Sequence, residues 1–196
     1  MADGTTPPQG GFTTAEAVRL LLRLPTIDVD ATNAVIVDAS TAIRGELHQL
    51  IDPVEADAIT LVGQDRPVLA LPERPVDAVA SVTVAGVALV EDVDYWWTPA
   101  GVLTRLAGGR RGACWPYPQR VAVVYDHGYA EVPAPIATVC KQITGRACIA
   151  GGVGGLKSRT VADASWTFAN VLAEDGSLPL TNFERTLLDP YYRDRR

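Results

Sequence analysis

The sequence predicts an α+β protein: a small helical bundle of three main helices and a short C-terminal one, a small antiparallel β-hairpin or sheet insertion, and extended terminal arms. Two observations support this class. Apolar residues recur every three to four positions in residues 14–24, 33–51 and 135–149, which is the helical period. Between the last two of these segments, residues 58–125 alternate apolar and polar side chains and contain turn residues, which is typical of strands and hairpins.

The first helix is predicted over residues 14–24. Thr13 and Glu16 have the spacing of a capping box, in which a Thr hydroxyl and a Glu carboxylate accept hydrogen bonds from backbone N–H groups at the helix start. Pro25 ends the helix, because a proline ring disrupts the helical hydrogen-bond ladder. The preceding residues 1–12 are rich in Gly, Pro and Thr and lack the apolar segment of a secretory signal, so we expect a flexible arm.

The second and third helices are predicted over residues 33–51 and 135–149. Asp30 or Thr32 is expected to cap the second helix, since both residue types accept hydrogen bonds from orphan N–H groups at a helix start. Pro53 closes it, because the residue before a proline is pushed out of the α region. Proline at the start of the third helix costs no hydrogen bond there. Together with the β region 58–125 these helices form the predicted core, residues 13–150.

Residues 58–125 should form a small antiparallel sheet. Period-two alternation from Val76 to Val84 leads into Gly86, whose tolerance of positive φ suits a tight hairpin turn. A second hairpin is expected around Gly101, and the Val-rich residues 120–125 supply a further strand.

A loop with two adjacent arginines lies between these strands. Residues 107–112 contain three glycines with Arg110 and Arg111, and Trp115 follows shortly after. We expect this loop, including Trp115, to project. Arginine with an aromatic residue can bind single-stranded nucleic acid by charge and stacking, or can contact another protein, and we favour the protein contact.

Residues 151–180 are predicted to be an extended arm with a Gly-rich hinge. The hinge is not a phosphate-binding loop, because Leu156 precedes Lys157 where that motif requires glycine, and the run follows a helix instead of a strand. Within the arm, Trp166 and Phe168 alternate with polar residues, which indicates a strand. No neighbouring strand is evident in the sequence, so we expect it to pair with another chain.

The last segment, residues 181–196, is predicted to form a short helix and a tail. Thr181 and Glu184 have capping-box spacing, and a proline at position 190 ends the helix. Exposed apolar and basic residues of the arm and this segment are the candidate protein interface. They are Trp166, Phe168, Phe183, Leu187, Tyr191, Tyr192 and Arg193.

Composition and charge exclude several classes of protein. The apolar fraction of 47% with 20% charge is that of a globular chain, and no apolar run approaches the length of a membrane span, so no membrane partner is expected. The net charge is −6, and residues 1–60 carry nine acidic and three basic groups. A protein that binds DNA tightly needs a net basic surface. We therefore expect double-stranded DNA to pass without specific binding.

No catalytic, metal or cofactor site is predicted. Cys114, Cys140 and Cys148 have no Cys-x-x-Cys spacing, which argues against a zinc site and a disulfide framework. Cys114 could serve as a nucleophile only if His48 or His127 lay beside it. The acidic cluster of Glu91, Asp92 and Asp94 matches no EF-hand loop and is interpreted as a solvated turn.

Four segments in this order resemble the head-to-tail adaptor (connector) proteins of long-tailed double-stranded DNA bacteriophages, particularly those of actinobacterial hosts. They are residues 71–76 (LPERPV), 81–86 (SVTVAG), 94–95 (DY) and 124–129 (VYDHGY). With the third helix, the arm and the last helix, the resemblance covers roughly residues 30–192. The Arg-rich connection 107–112 is longer than the family pattern, so its role does not follow from the resemblance.

The resemblance implies a homo-oligomeric ring, commonly of twelve subunits, in the virion neck, assembled in the host bacterial cytoplasm. Its partners would be the portal protein and a head-closure (stopper) or tail-terminator protein, and the ring would line part of the DNA channel without catalysis. The arm and last helix would contact the portal or neighbouring subunits. Two alternatives remain open: a tail-completion or head-closure protein of the same neck, and a small nucleic-acid- or protein-binding module that uses Arg110, Arg111 and Trp115.

Overall fold

The computed structural model describes residues 4–152, 158–161, 164–167 and 180–193. The chain forms two compact units. The described residues up to 48 and from 132 onward form the first, called here the helical unit, and residues 49–131 form the second, the sheet unit. Helices and antiparallel sheets occur together, so the predicted α+β class is confirmed. No described helix is both long and apolar enough to span a bilayer.

The helical unit contains the three predicted main helices and the predicted short C-terminal one. They are α1 (Ala15–Leu22), α2 (Val29–Leu47), α3 (Ala134–Gly152) and α4 (Asn182–Leu188), followed by a 3-10 turn (Asp189–Tyr191). Apolar residues at helical spacing on α1, α2 and α3 are buried, as the sequence period requires. Those with no exposed surface are Ala15, Val18, Ile36, Ala39, Ile43, Leu47, Ile136, Val139, Cys140 and Ile143.

The first two helices begin at different caps from the predicted ones. Thr14, not Thr13, caps α1 and accepts from the backbone N–H of Ala17 at 3.1 Å. Asp28, not Asp30 or Thr32, caps α2 and accepts from Ala31 N–H at 3.0 Å. Neighbouring Thr or Asp residues offer equivalent side-chain acceptors, so the local pattern does not distinguish them.

The end of α2 also differs from the prediction. The helix ends at Leu47, because His48 adopts the left-handed conformation (φ 52) and donates its backbone N–H to Arg44 O at 3.1 Å. Residues 48–51, predicted to be helical, therefore lie outside α2. A left-handed residue after the last turn is a common way to satisfy a terminal carbonyl.

The described part of the N-terminal segment packs on the helices. Phe12 is 3% exposed, its backbone N–H donates to Ser40 Oγ at 3.0 Å, and the Arg44 guanidinium lies 4.1 Å from its ring centre. Further upstream, Gly4 O accepts from Glu16 N–H at 2.9 Å. Residues 4–12 therefore belong to the helical unit.

The sheet unit contains eight strands. They are β1 (Val54–Val62), β2 (Val68–Ala70), β3 (Val76–Val84), β4 (Val87–Ala88), β5 (Tyr95–Thr98), β6 (Val102–Ala107), β7 (Arg110–Arg111) and β8 (Arg120–His127). All the pairings between them are antiparallel, as predicted. One sheet has the order β1-β8-β3-β4, and the other has the order β2-β6-β5 with β7 paired to β6.

The core of the sheet unit lies against β8, whose side chains alternate between exposed and buried. Val121, Val123 and Tyr125 of β8 have no exposed surface. They pack in one cluster with buried residues of both sheets, among them Val76, Val79, Val82, Val84, Leu69, Leu103 and Tyr95.

Trp115 belongs to this core. Its side chain is 0% exposed, and its Nε1 donates to Leu103 O at 3.4 Å. Its backbone forms a bridge with Arg66, and the Arg105 guanidinium lies 5.7 Å from its ring centre. The prediction that Trp115 projects with the arginine loop is therefore wrong, because the indole fills the sheet core.

The predicted strand around Trp166 has a partner within its own chain. Ser158–Val161 (β9) pairs antiparallel with Ala164–Thr167 (β10), and Arg159 lies opposite Trp166. The expectation of a strand with no neighbouring strand in the sequence is therefore wrong. Phe168 lies outside the described residues.

Replacing Trp115 by alanine should lower the free energy of unfolding by about 3–5 kcal/mol, since it leaves a large cavity in the sheet core. Trp96→Ala is the matched control, because Trp96 is 41% exposed and should cost no more than about 1 kcal/mol. Chemical denaturation followed by circular dichroism measures both changes. Equal stability loss in the two variants would contradict the assignment of Trp115 to the core.

Candidate functional site

An ion pair attaches the C-terminal helix to α3. The Glu184 side chain of α4 is 1% exposed, and both of its oxygens accept from the Arg146 guanidinium, Oε2 at 3.1 Å. Glu184 also closes the predicted capping box: its Oε2 accepts from Thr181 N–H at 2.8 Å, and its own N–H donates to Thr181 Oγ1 at 3.3 Å. One carboxylate therefore both caps α4 and holds it to the bundle.

Burial by itself would raise the pKa of Glu184. Hydrogen bonds from Arg146 and from Thr181 stabilise the carboxylate and outweigh that effect, so the pKa lies below its usual value. The ionised form of Glu184 is therefore the one that stabilises the docked helix.

A second polar cluster joins the C-terminal segment to the end of α2. Glu46 Oε1 accepts from Tyr192 OH at 2.8 Å and from Arg185 Nε at 3.2 Å. Arg193 N–H donates to Leu47 O at 3.3 Å, which satisfies a carbonyl that the helix end leaves without an intrahelical donor. Tyr192 and Arg193, predicted as interface residues, therefore make contacts within their own helical unit.

The remaining predicted interface residues of α4 and the 3-10 turn present an apolar surface. Phe183 is 63% exposed, whereas Leu187 and Tyr191 are half-buried. We call these three residues the C-terminal surface. An aromatic residue exposed on a firmly attached helix is typical of a protein contact. Trp166 lies in β10 and is not part of the C-terminal surface.

The predicted arginine loop is a tight turn. Gly108 and Gly109 have positive φ (59 and 77) and connect β6 to β7, where Arg110 and Arg111 are exposed and pair with Ala107 and Leu106. The exposure of the two arginines agrees with the prediction.

A groove beside this turn contains an aromatic residue that the sequence analysis did not select. The groove has a volume of about 580 Å³, and its lining includes Val68, Trp96, Arg111 and Cys114. Trp96 is exposed because Tyr95 and Trp97 pack toward the core from the opposite side of β5. Side chains alternate between the two faces of a strand, so the positions of Tyr95 and Trp97 along β5 could have identified Trp96 as exposed.

The helical unit has its own apolar groove. It measures about 670 Å³ and is lined by the end of α1, the start of α2 and the end of α3, including Leu22, Leu24, Ile27, Val35 and Ile149. Leu24 and Ile149 are 39% and 44% exposed. No sequence motif marks this groove, because its lining comes from three separate segments.

The thiols and imidazoles do not assemble a nucleophilic site in either unit. Burial raises the pKa values of Cys140 and Cys148, even though Ser40 contacts the Cys140 thiol at 3.4 Å, and a raised pKa disfavours the reactive thiolate. In the sheet unit Cys114 is exposed, whereas His127 is 2% exposed and bonded through Nε2 to Asp57 Oδ2 at 3.2 Å.

The acidic cluster has a structural role in the sheet unit. Glu91 Oε1 accepts from Trp97 Nε1 at 2.7 Å, and Asp94 Oδ2 accepts from Val90 N–H at 3.0 Å. Over the part of the chain that the structure describes, no group of three or more His, Cys, Asp and Glu residues is placed to hold a metal ion.

Comparison with known proteins shows similarity of fold. No protein-family model matches the chain, and no curated protein sequence matches it. A chain of the solved virion of a native gene transfer agent (GTA) particle aligns with 100% of this chain and 94% of its own length, with a TM-score of 0.52 and 16% identity. The two chains therefore share a fold.

Two further solved structures align at lower similarity. One is the neck of an empty GTA particle computed with C6 symmetry, with a TM-score of 0.49 and 17% identity. The other is the neck of a native GTA particle computed with C12 symmetry, with a TM-score of 0.48 and 14% identity. In each case the alignment covers 98% of this chain and 94% of the other.

Acidification should release α4 from the bundle. The folded-state pKa of Glu184 is lowered, so its stabilisation is complete above the unfolded-state value of about 4.3. It disappears as the pH falls through the lower folded-state value. Hydrogen exchange of the Asn182–Leu188 amides, corrected for intrinsic rates, should show protection at pH 7 that declines progressively as the pH falls below the unfolded-state value of about 4.3.

The Glu184→Gln variant should have low α4 protection at every pH, because it lacks the charge that pairs with Arg146. Glu16→Gln is the control, since the Glu16 carboxylate forms its ion pair with Arg19 within α1. It should keep the pH dependence of α4. Unchanged α4 protection in Glu184→Gln would show that the ion pair does not hold the helix.

Proposed function

We propose that this chain is a virion structural protein, a head-to-tail adaptor that forms a ring between the portal and the head-closure or tail proteins. The observation that carries this proposal is the fold shared with a chain of the GTA virion over the whole of this chain and 94% of the other. The family resemblance of residues 71–129 supports the same assignment from the sequence alone.

The surfaces of the two units fit an assembly role. Exposed apolar groups occur on α4 at Phe183, in the groove near Leu24 and on β5 at Trp96. A ring requires a heterologous interface, in which one patch of each subunit contacts a different patch of the next. Several separate exposed surfaces on one chain satisfy that requirement, and a ring of about twelve copies follows from the family resemblance.

The net charge suits a channel through which DNA moves. A net charge of −6 repels phosphates and disfavours the tight binding that would hold DNA in place. The alternative of a binding module that stacks nucleobases on Trp115 is weakened by the complete burial of that side chain. The raised pKa values of the Cys140 and Cys148 thiols and the hydrogen bond between His127 and Asp57 give no support to an enzymatic role.

The C-terminal surface should contribute to binding of the portal protein or a neighbouring subunit. Phe183→Ala should weaken co-assembly with the portal protein of the same particle by at least about tenfold, because an exposed aromatic anchor loses its contact area. Val87→Ala is the matched control, since Val87 is 65% exposed on β4. Native mass spectrometry and sedimentation measure the assemblies. A chain that never joins the portal and is absent from purified necks would overturn the proposal.

Imaging of particle necks that carry a tagged copy of this chain would separate the two positions in the neck. A ring directly below the portal supports the adaptor assignment, whereas a ring one level lower identifies a head-closure protein.

Binding to double-stranded DNA should be weak and nonspecific. We expect Arg110→Ala with Arg111→Ala to change affinity by less than about threefold at physiological salt, because the proposed role does not use these arginines to contact phosphate, and each lost phosphate contact would cost more than that. Fluorescence anisotropy at several salt concentrations measures this. Tight, steeply salt-dependent binding that disappears in the double variant would favour the nucleic-acid-binding module instead.

A further inference from the structure

The first strand of the sheet unit has an open edge. β1 lies at the end of its sheet and, among the described residues, pairs only with β8. Protein edges are usually protected by charged residues, prolines or bulges. In β1 these devices are confined to the start, where Glu55 and Asp57 flank Ala56 (φ 52) and the register shifts. Residues 58–62 (AITLV) carry no charge and no proline.

A second open edge lies near the end of β1. β2 is the terminal strand of the other sheet and, within the described part of the chain, pairs only with β6. A groove of about 480 Å³ is lined by Leu61 and Val62 of β1 and by residues 66–70, including Val68. Val62 and Val68 are 48% and 44% exposed. An extended segment placed here would gain backbone hydrogen bonds from an edge and apolar contact from the groove.

The β9–β10 hairpin is a suitable segment to pair with the open edge of β1. Over the described residues its sheet has two strands and four residue pairs, and a two-stranded hairpin without a third strand is marginally stable in water. β10 (ASWT) carries no charge, as is true of residues 58–62, and its four residues are one fewer than the five of that uncharged edge. A third strand would satisfy the backbone groups on the outer side of β10.

We propose that β10 of one copy adds to the β1 edge of a second copy, so that the hairpin becomes part of the neighbour's sheet. Each copy donates one hairpin and receives one at a different surface, which is a heterologous contact able to close a ring. The inference rests on the proposed function only in requiring that copies of this chain meet in a ring. It assigns the subunit contact to main-chain pairing, a mode that tolerates variation in the side chains.

Cysteine cross-linking between two distinguishable copies tests this pairing. One copy carries Thr60→Cys and a tag, the other carries Ser165→Cys, and both carry Cys114→Ser to remove the exposed native thiol. Thr60 is exposed on β1, so the new thiol is accessible. Oxidation of the mixed assembly should join tagged and untagged chains in a disulfide-linked pair.

Ala58→Cys and Val62→Cys scan the register, because both positions are exposed on the same face of β1 as Thr60. One position should cross-link several-fold faster than its neighbours. Ser81→Cys on the central strand β3 is the control and should give no product with Ser165→Cys. Hydrogen exchange gives a second readout: the amides of residues 58–62 should gain protection on assembly.

Three outcomes would overturn the inference: no cross-link in assembled rings, a bond formed only within one chain carrying both cysteines, or capture of Ser165→Cys by the portal instead of β1. These results are separable from a failure of the proposed function. A chain found in purified necks without the β1–β10 bond refutes only the strand pairing. Copies that cross-link to one another through β1 and β10 but never join the neck refute only the adaptor role.

Discussion

The sheet unit depends on the pairing of β8 with two strands that precede it by many residues. β8 lies between β1 and β3, and its buried residues Val121, Val123 and Tyr125 form the centre of the core. In the chain, β4, β5, β6 and β7 lie between β3 and β8, whereas β2 precedes β3, and the buried Trp115 comes just before β8 begins. Pairing with β8 occupies one edge of β1 and, among the described residues, leaves the other edge without a partner strand.

The helical unit combines an apolar core with a polar attachment of its last helix. α1, α2 and α3 bury a continuous set of aliphatic side chains, whereas α4 adds Leu188 and is otherwise held by Arg146, Glu184 and Glu46. A charged attachment directs the apolar residue Phe183 outward. The surfaces that we propose for assembly are therefore the last helix and the groove of the helical unit, and the grooves and strand edges of the sheet unit.

The candidate surfaces were only partly predictable. The exposure of Arg110 and Arg111 follows from glycines that form a local turn. The burial of Trp115 does not, because it depends on Leu103, which is twelve residues away, and on the opposite sheet. Trp96 shows the reverse case: a tryptophan is exposed because the strand turns its neighbours inward. The hydrogen bond between Tyr192 and Glu46 could not be predicted from the sequence either, because the two residues are 146 positions apart.

The sequence by itself determined the α+β class, the central parts of the three main helices, the hairpins at Gly86 and Gly101, and the capping box at Thr181. These features depend on periodicity and on turn or cap chemistry within a few residues. Only the tertiary structure decided which strands flank β8, which tryptophan is buried and that β9 pairs with β10. Such choices are made by contacts between distant segments, where the free energy of burying one side chain or pairing one edge outweighs local preference.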